Sequence, residues 1–206
     1  MNYLQVVQVL RRTPGGSNFD QREQTSSRAA KPFITSHLMR PLLLLDIDDV
    51  FCLNRPYGGY DVAQKEWPSD LLSLLWHPPA LDVLEPLVFE FNPQIVVTSS
   101  WLRLMLLSSI EALFRASGAL WLANGLHPEG EALQASGKTR LDAVDGWLAR
   151  HHHGEPYVIL DDTLSGTGLA GSKHDRAGRL VMCRVDIGLL PTHAERIRWA
   201  LGTTLR

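Results

Sequence analysis

The chain has 206 residues, 45% of them hydrophobic and 20% charged, with a formal net charge of −2. That size fits one domain with a sizeable core, with or without an appendage. The charge excludes a whole-chain attraction to nucleic acid or anionic membrane, though not a local basic patch.

Residues 1–38 differ from the rest. The stretch "TPGGSNFDQREQTSSRAAKP" is polar, rich in Gly, Ser and Pro, and lacks periodicity. It reads as a disordered or non-native N-terminal extension, and the preceding "LQVVQVL" is isolated. Met39 runs directly into "RPLLLLDID", so an alternative translation start there is expected, with the domain covering residues 39–206. No apolar run approaches the roughly 18 residues that span a bilayer, and no secretory apolar core opens the chain. A soluble, cytoplasmic protein without membrane association is the default, and no feature points to a stable protein partner.

From Pro41 onward, short apolar runs alternate with helical patterns. "PLLLLD" has no helical period and reads as a buried strand; "PQIVVTSS", "PYVILDD" and "RLVMCRV" repeat the signal. Leu106, Leu107, Ile110, Leu113 and Phe114 form a helical stripe stopped by Gly118. Leu141, Val144 and Leu148 form a second stripe, with Thr139 and Asp142 as a capping box. A third helix starts near Pro191, with Thr192 and Glu195 as a box and Ile197 and Leu201 facing inward. Strands alternating with amphipathic helices predict an α/β fold, a three-layer, doubly wound, mainly parallel sheet.

Three strands end in residues fit for chemistry. The first ends at Asp46 and Asp48, the second at Thr98, Ser99 and Ser100, the third at Asp161 and Asp162. In an open parallel sheet the ligand lies outside the carboxyl ends of the strands, so the three clusters should converge. Four carboxylates gathered there repel one another unless a cation neutralises them. Oxygen-only ligands favour a hard ion such as Mg²⁺, and such an ion beside hydroxyl groups suits phosphoryl chemistry.

The order "DID", "VVTSS", a lysine at a helix start, then "VILDD" resembles the haloacid dehalogenase superfamily of phosphatases, over residues 41 to about 201. The segments "VVTSSW", "KTRLDAVDGWL" and "VDIGLLPTHAERI" look most like the small domains related to Swiss Army Knife RNA repair proteins. The resemblance implies Asp46 as nucleophile and Asp48 as general acid and base, with the Asp48 backbone carbonyl also on the metal. It implies Thr98 or Ser99 on the transferring phosphoryl group and Lys138 or Arg140 as the neutralising cation. Asp161 and Asp162 would complete a Mg²⁺ site with Asp46 and Asp48. Ser100, Trp101 and Arg140 are candidates for binding substrate. Asp49 stands where the superfamily commonly has glycine, so it strains the turn or adds a charge near the metal.

The implied function is a Mg²⁺-dependent phosphohydrolase with at most a small cap, acting on a phosphorylated small molecule or nucleic-acid end. The alternative is a phosphate-sensing module that has lost turnover. Other conspicuous features read as structural. His151, His152 and His153 end a helix, where cationic side chains complement its dipole. "GTGLAG" reads as a loop flanking the site, Trp147 and Trp199 as packing residues, and Cys52 and Cys183 as reduced core residues.

Overall fold

The computed structural model describes residues 39–203; the expectations for residues 1–38 lie outside them. Five strands form one all-parallel sheet. They are β1 (Leu42–Leu45), β2 (Gln94–Val97), β3 (Leu126–Glu131), β4 (Tyr157–Asp162) and β5 (Leu180–Cys183), in the order β3-β2-β1-β4-β5. The leucine run is therefore the central strand. Its side chains alternate between the two faces, and all four are buried because both faces are covered.

The two faces have different covers. Leu43 and Leu45 share a cluster with Ile95, Val97, Val158 and Leu160. Over that cluster lie α3 (Pro78–Phe91), α4 (Leu107–Ala116), α5 (Leu120–Gly125) and α8 (Ala194–Gly202). Leu42 and Leu44 meet Val96, Ile159, Val144 and Trp147, the last two from α6 (Arg140–His151). The result is the three-layer, doubly wound architecture that the alternating pattern predicts. Short elements α1 (Gly59–Val62), α2 (Leu71–Leu74) and α7 (Lys173–Arg176) complete the helices among the described residues.

Some local expectations change. The edge strand β3 carries "LHPEGE" and has no strand pattern; its pairing with β2 is irregular. Leu106 is exposed as the residue before α4 rather than part of its buried stripe. Thr139 and Asp142 do form the reciprocal capping box of α6. The box expected from Thr192 and Glu195 is absent. A 3₁₀ turn at Pro191–His193 postpones α8, whose N-cap is His193. The His193 ring nitrogen instead accepts the Leu190 N–H at 3.0 Å. Ile197 and Leu201 face inward as expected.

Among the described residues no helix is long and apolar enough to cross a membrane. Cys52 and Cys183 are free and buried, and burial pushes both thiols up to about 12. Trp147 is enclosed and donates to the Glu129 carbonyl at 2.6 Å. Trp199 is half exposed and lies under the Arg179 guanidinium. Of the histidine run, His151 packs on Trp147 and His152 binds the Glu155 carbonyl at 2.8 Å.

Candidate active site

The strand order reverses direction between β1 and β4, which is where an open α/β sheet forms its crevice. Asp46 follows β1 there, and Asp161 and Asp162 close β4. The register pairs Leu45 with Leu160, which sets the acids side by side. One carboxylate oxygen from each of Asp46, Asp161 and Asp162 lies within 4.8 Å of the others, and all three residues are buried. The donor set is oxygen alone, and the spacing allows one hard cation to be shared.

A buried arginine shares this cluster. Arg140, the first residue of α6, is 1% exposed; its Nε stands 3.0 Å from Asp161 and its Nη2 3.5 Å from Asp46. The capping box fixes the start of α6, and the Arg140 N–H donates to the Thr167 hydroxyl at 2.9 Å. The "GTGLAG" loop thus fastens the helix that carries the guanidinium. Lys138, two residues earlier, is exposed. Of the two cations at this helix start, the fold brings Arg140 to the acids and leaves Lys138 at the surface.

Ser165 was not foreseen. Its hydroxyl lies 2.8 Å from Asp46 and 3.1 Å from Asp161, and it contacts Asp162 more closely still. The turn that delivers it is set by Asp162, whose Oδ1 accepts the N–H groups of Leu164 and Ser165 at 2.6 and 3.1 Å. An aspartate that bonds the backbone two and three residues on is a recognisable Asx-type turn. That is the signal in "DDTLSG". Gly166 completes it: a Cβ there would sit 2.6 Å from the Asp162 carbonyl oxygen and 3.1 Å from the Asp161 carboxylate.

The three hydroxyls after β2 have separate surroundings. Thr98 is fully buried, and its hydroxyl has no hydrogen-bond partner. Ser99 caps the 3₁₀ turn Ser100–Arg103 by accepting the Trp101 N–H at 3.3 Å. Ser100 donates to Asp48 at 3.1 Å. Trp101 is enclosed rather than open to a ligand, stacked near Trp76, and its indole N–H donates to Asp48 at 2.8 Å. Asp48 therefore stands apart from the three-acid cluster, oriented by two donors on the β2 side. Asp49 takes the left-handed backbone at φ 54°, the conformation in which glycine is easiest. Its carboxylate accepts the Asp186 N–H at 2.8 Å, so it ties two loops together and stays out of the acid cluster.

Burial dominates the electrostatics. It raises Asp46 from 3.8 to about 6, against the lowering effects of Arg140 and the Ser165 hydroxyl. It raises Asp161 well above its ordinary value, with Asp46 adding repulsion. Asp48 is raised by burial too, opposed by the Trp101 and Ser100 hydrogen bonds. A carboxyl that holds its proton more tightly folded than unfolded loses stability as pH rises through that interval. For metal-free protein, Asp46→Asn should therefore gain thermal stability relative to wild type as pH goes from 4 to 7, since only wild type acquires the buried charge. Parallel melting curves across that range check it, and a constant difference would contradict it.

The Trp101 support is testable as well. A Cβ on Gly59 would lie 2.6 Å from Trp101 Nε1, the atom that holds Asp48. Gly59→Ala should cost about 1–3 kcal/mol through overpacking. It should also displace the indole, seen as a changed tryptophan emission spectrum alongside a lower denaturation midpoint.

This sheet order, with acids ending β1 and β4 and hydroxyls ending β2, defines a haloacid-dehalogenase-type α/β domain. Residues 42–194 match the model for the HAD domain in Swiss Army Knife RNA repair proteins, and the chain belongs to that family. Membership places the chain in the haloacid dehalogenase superfamily, whose domains are of phosphohydrolase type. No curated protein and no solved structure matches the chain.

Proposed function

We propose that the domain is a Mg²⁺-dependent phosphohydrolase working through an aspartyl-phosphate at Asp46. One observation carries the reading. Buried oxygens of three acids converge within 4.8 Å; beside them Thr98 Oγ1 and Arg140 Nη1 lack hydrogen-bond partners, and Asp46 Oδ1 and Asp161 Oδ2 meet the Arg140 guanidinium as ion pairs outside hydrogen-bond geometry. Buried polar atoms without partners are costly, and a phosphoryl group with a cation supplies partners of both kinds. Three carboxylates against one guanidinium leave two negative charges when all are ionised, which a divalent cation balances.

Asp46, Asp161 and Asp162 would hold the ion, with Asp48 contributing its backbone carbonyl. Mg²⁺ bound there supplies charge neutralisation for the incoming phosphate. The Asp46 carboxylate forms a bond to phosphorus as the bond to the leaving oxygen breaks. Asp48, held by Trp101 and Ser100, delivers a proton to that oxygen. It then takes a proton from a water whose oxygen attacks phosphorus and frees the Asp46 carboxylate. The raised proton affinity of Asp48 suits the first of these steps. Thr98 offers its unpaired hydroxyl to the phosphoryl oxygens, and Arg140 offsets their charge.

The substrate class we assign is a phosphate monoester on a nucleotide or nucleic-acid end. Two points support it. The family is one of domains in RNA repair proteins. Between Phe51 and Pro78 the chain supplies only the one-turn helices α1 and α2, too little for a large cap domain that would restrict the substrate to a small molecule. The sensing alternative draws on Arg140, which already pairs with Asp46. Hydrolysis of an aryl phosphate with Mg²⁺ and with a chelator separates the two. Mg²⁺-dependent turnover is expected; Mg²⁺ binding with no turnover on any phosphate ester would favour sensing.

A further inference from the structure

A cleft of about 490 Å³ opens on the Asp48 side of the site, lined by Asn54, Gly59, Tyr60, Ser100, Arg103 and Leu104 among others. Ligand pockets of this size characteristically combine apolar walls with a few placed polar groups. Here the polar end is Asp48 and Ser100, joined by a hydrogen bond. The apolar wall is Tyr60 and Leu104, which are 79% and 42% exposed. Single exposed apolar side chains are ordinary; two of them lining one cleft beside a catalytic carboxylate are a better-defined feature. Arg103 is the one basic side chain among the lining residues, and one of its nitrogens is committed to the Gln134 carbonyl at 3.1 Å.

The position of the cleft sets what enters it. Asp48 is the group assigned to protonate the leaving oxygen, so the leaving group lies on the side Asp48 lines. We infer that this cleft is a nucleoside subsite in which the base of the leaving group stacks on Tyr60; the inference rests on the hydrolase reading for its orientation. A planar, uncharged base gains from an exposed phenol ring and asks for no further cation. The cleft, with Asp48 and Asp61 against Arg103, offers little to a leaving group that is itself a polyphosphate.

The test separates binding from turnover. In the Asp46→Asn background, with Mg²⁺ present, adenosine 5′-monophosphate and ribose 5-phosphate are titrated by calorimetry. The two share sugar and phosphate and differ by the base. Adenosine 5′-monophosphate should bind about 10-fold more tightly, in the range stacking on one aromatic ring supplies. Tyr60→Ala should remove that difference and leave ribose 5-phosphate unchanged, while Tyr60→Phe retains it. Tyr60 is exposed enough that these variants should fold. Equal affinity for the two ligands, no binding of either, or an equal loss for both in Tyr60→Ala would overturn the subsite. Aryl phosphate turnover by wild type judges the hydrolase reading independently, because it requires no base.

Discussion

Asp46→Asn should abolish aryl phosphate hydrolysis, with a loss on the order of 10⁴-fold or more, the scale on which removal of a nucleophile acts. The fold should survive. Asparagine keeps the shape of a 1% exposed side chain while removing a charge that burial disfavours. Asp48→Asn should behave differently. Loss of a proton donor costs about 10²–10⁴-fold, and the loss should depend on the leaving group. A nitrophenolate leaves without a proton, so the first step should be almost unaffected, whereas an alkyl phosphate should suffer in both steps. Rates for aryl and alkyl phosphates in the two variants check this contrast. Equal losses of kcat/KM, which reports phosphoenzyme formation, in Asp48→Asn for both substrates would remove Asp48 from the leaving-group step.

Arg140→Met should produce the largest change in stability. The guanidinium is 1% exposed and faces Asp46 and Asp161 at 3.5 and 3.0 Å. Removing one partner of a buried ion pair leaves an uncompensated charge and costs about 3–5 kcal/mol. Proton uptake softens this, since burial already raises the proton affinity of Asp46 and Asp161. Mg²⁺ should therefore rescue the variant, raising its melting temperature more than that of wild type. Arg140→Lys should retain part of the stability, because a single ammonium cannot bridge both acids as a fork does. Thermal melts with and without Mg²⁺ give the comparison. Lys138→Met is the control: an exposed side chain should leave the melting temperature within about 0.5 kcal/mol equivalent of wild type.

Much of this architecture is legible in the sequence because burial writes itself into composition. Leu42–Leu45, Ile95–Val97 and Val158–Leu160 are covered on both faces, so their runs are continuous rather than alternating. The edge strand β3 is covered incompletely, and "LHPEGE" carries no such signature. The acids follow the strand ends, so Asp46, Asp161 and Asp162 could be grouped from topology alone. Distinguishing Arg140 from Lys138 could not be done from a stripe. Both stand at one helix start, and which one turns inward depends on the Thr139 cap and the loop that binds Arg140 through Thr167. Ser165 was missed because its approach to the acids is made by a turn rather than by a repeating element. The place of Trp101 directly after the second polar cluster predicts contact with a ligand. Its neighbours Trp76 and Gly59 enclose it, and its role in the structure is to hold Asp48.

Asp46 is expected to carry the phosphoryl group during turnover. Asp48→Asn offers the means to catch it, since that variant should form the phosphoenzyme from an aryl phosphate yet hydrolyse it slowly. Acid quenching followed by peptide mass spectrometry should find the phosphoryl group on Asp46, in Mg²⁺ and not in chelator. Product release with the phosphoryl group never detected on Asp46, or detected on another residue such as Ser99, would contradict the account.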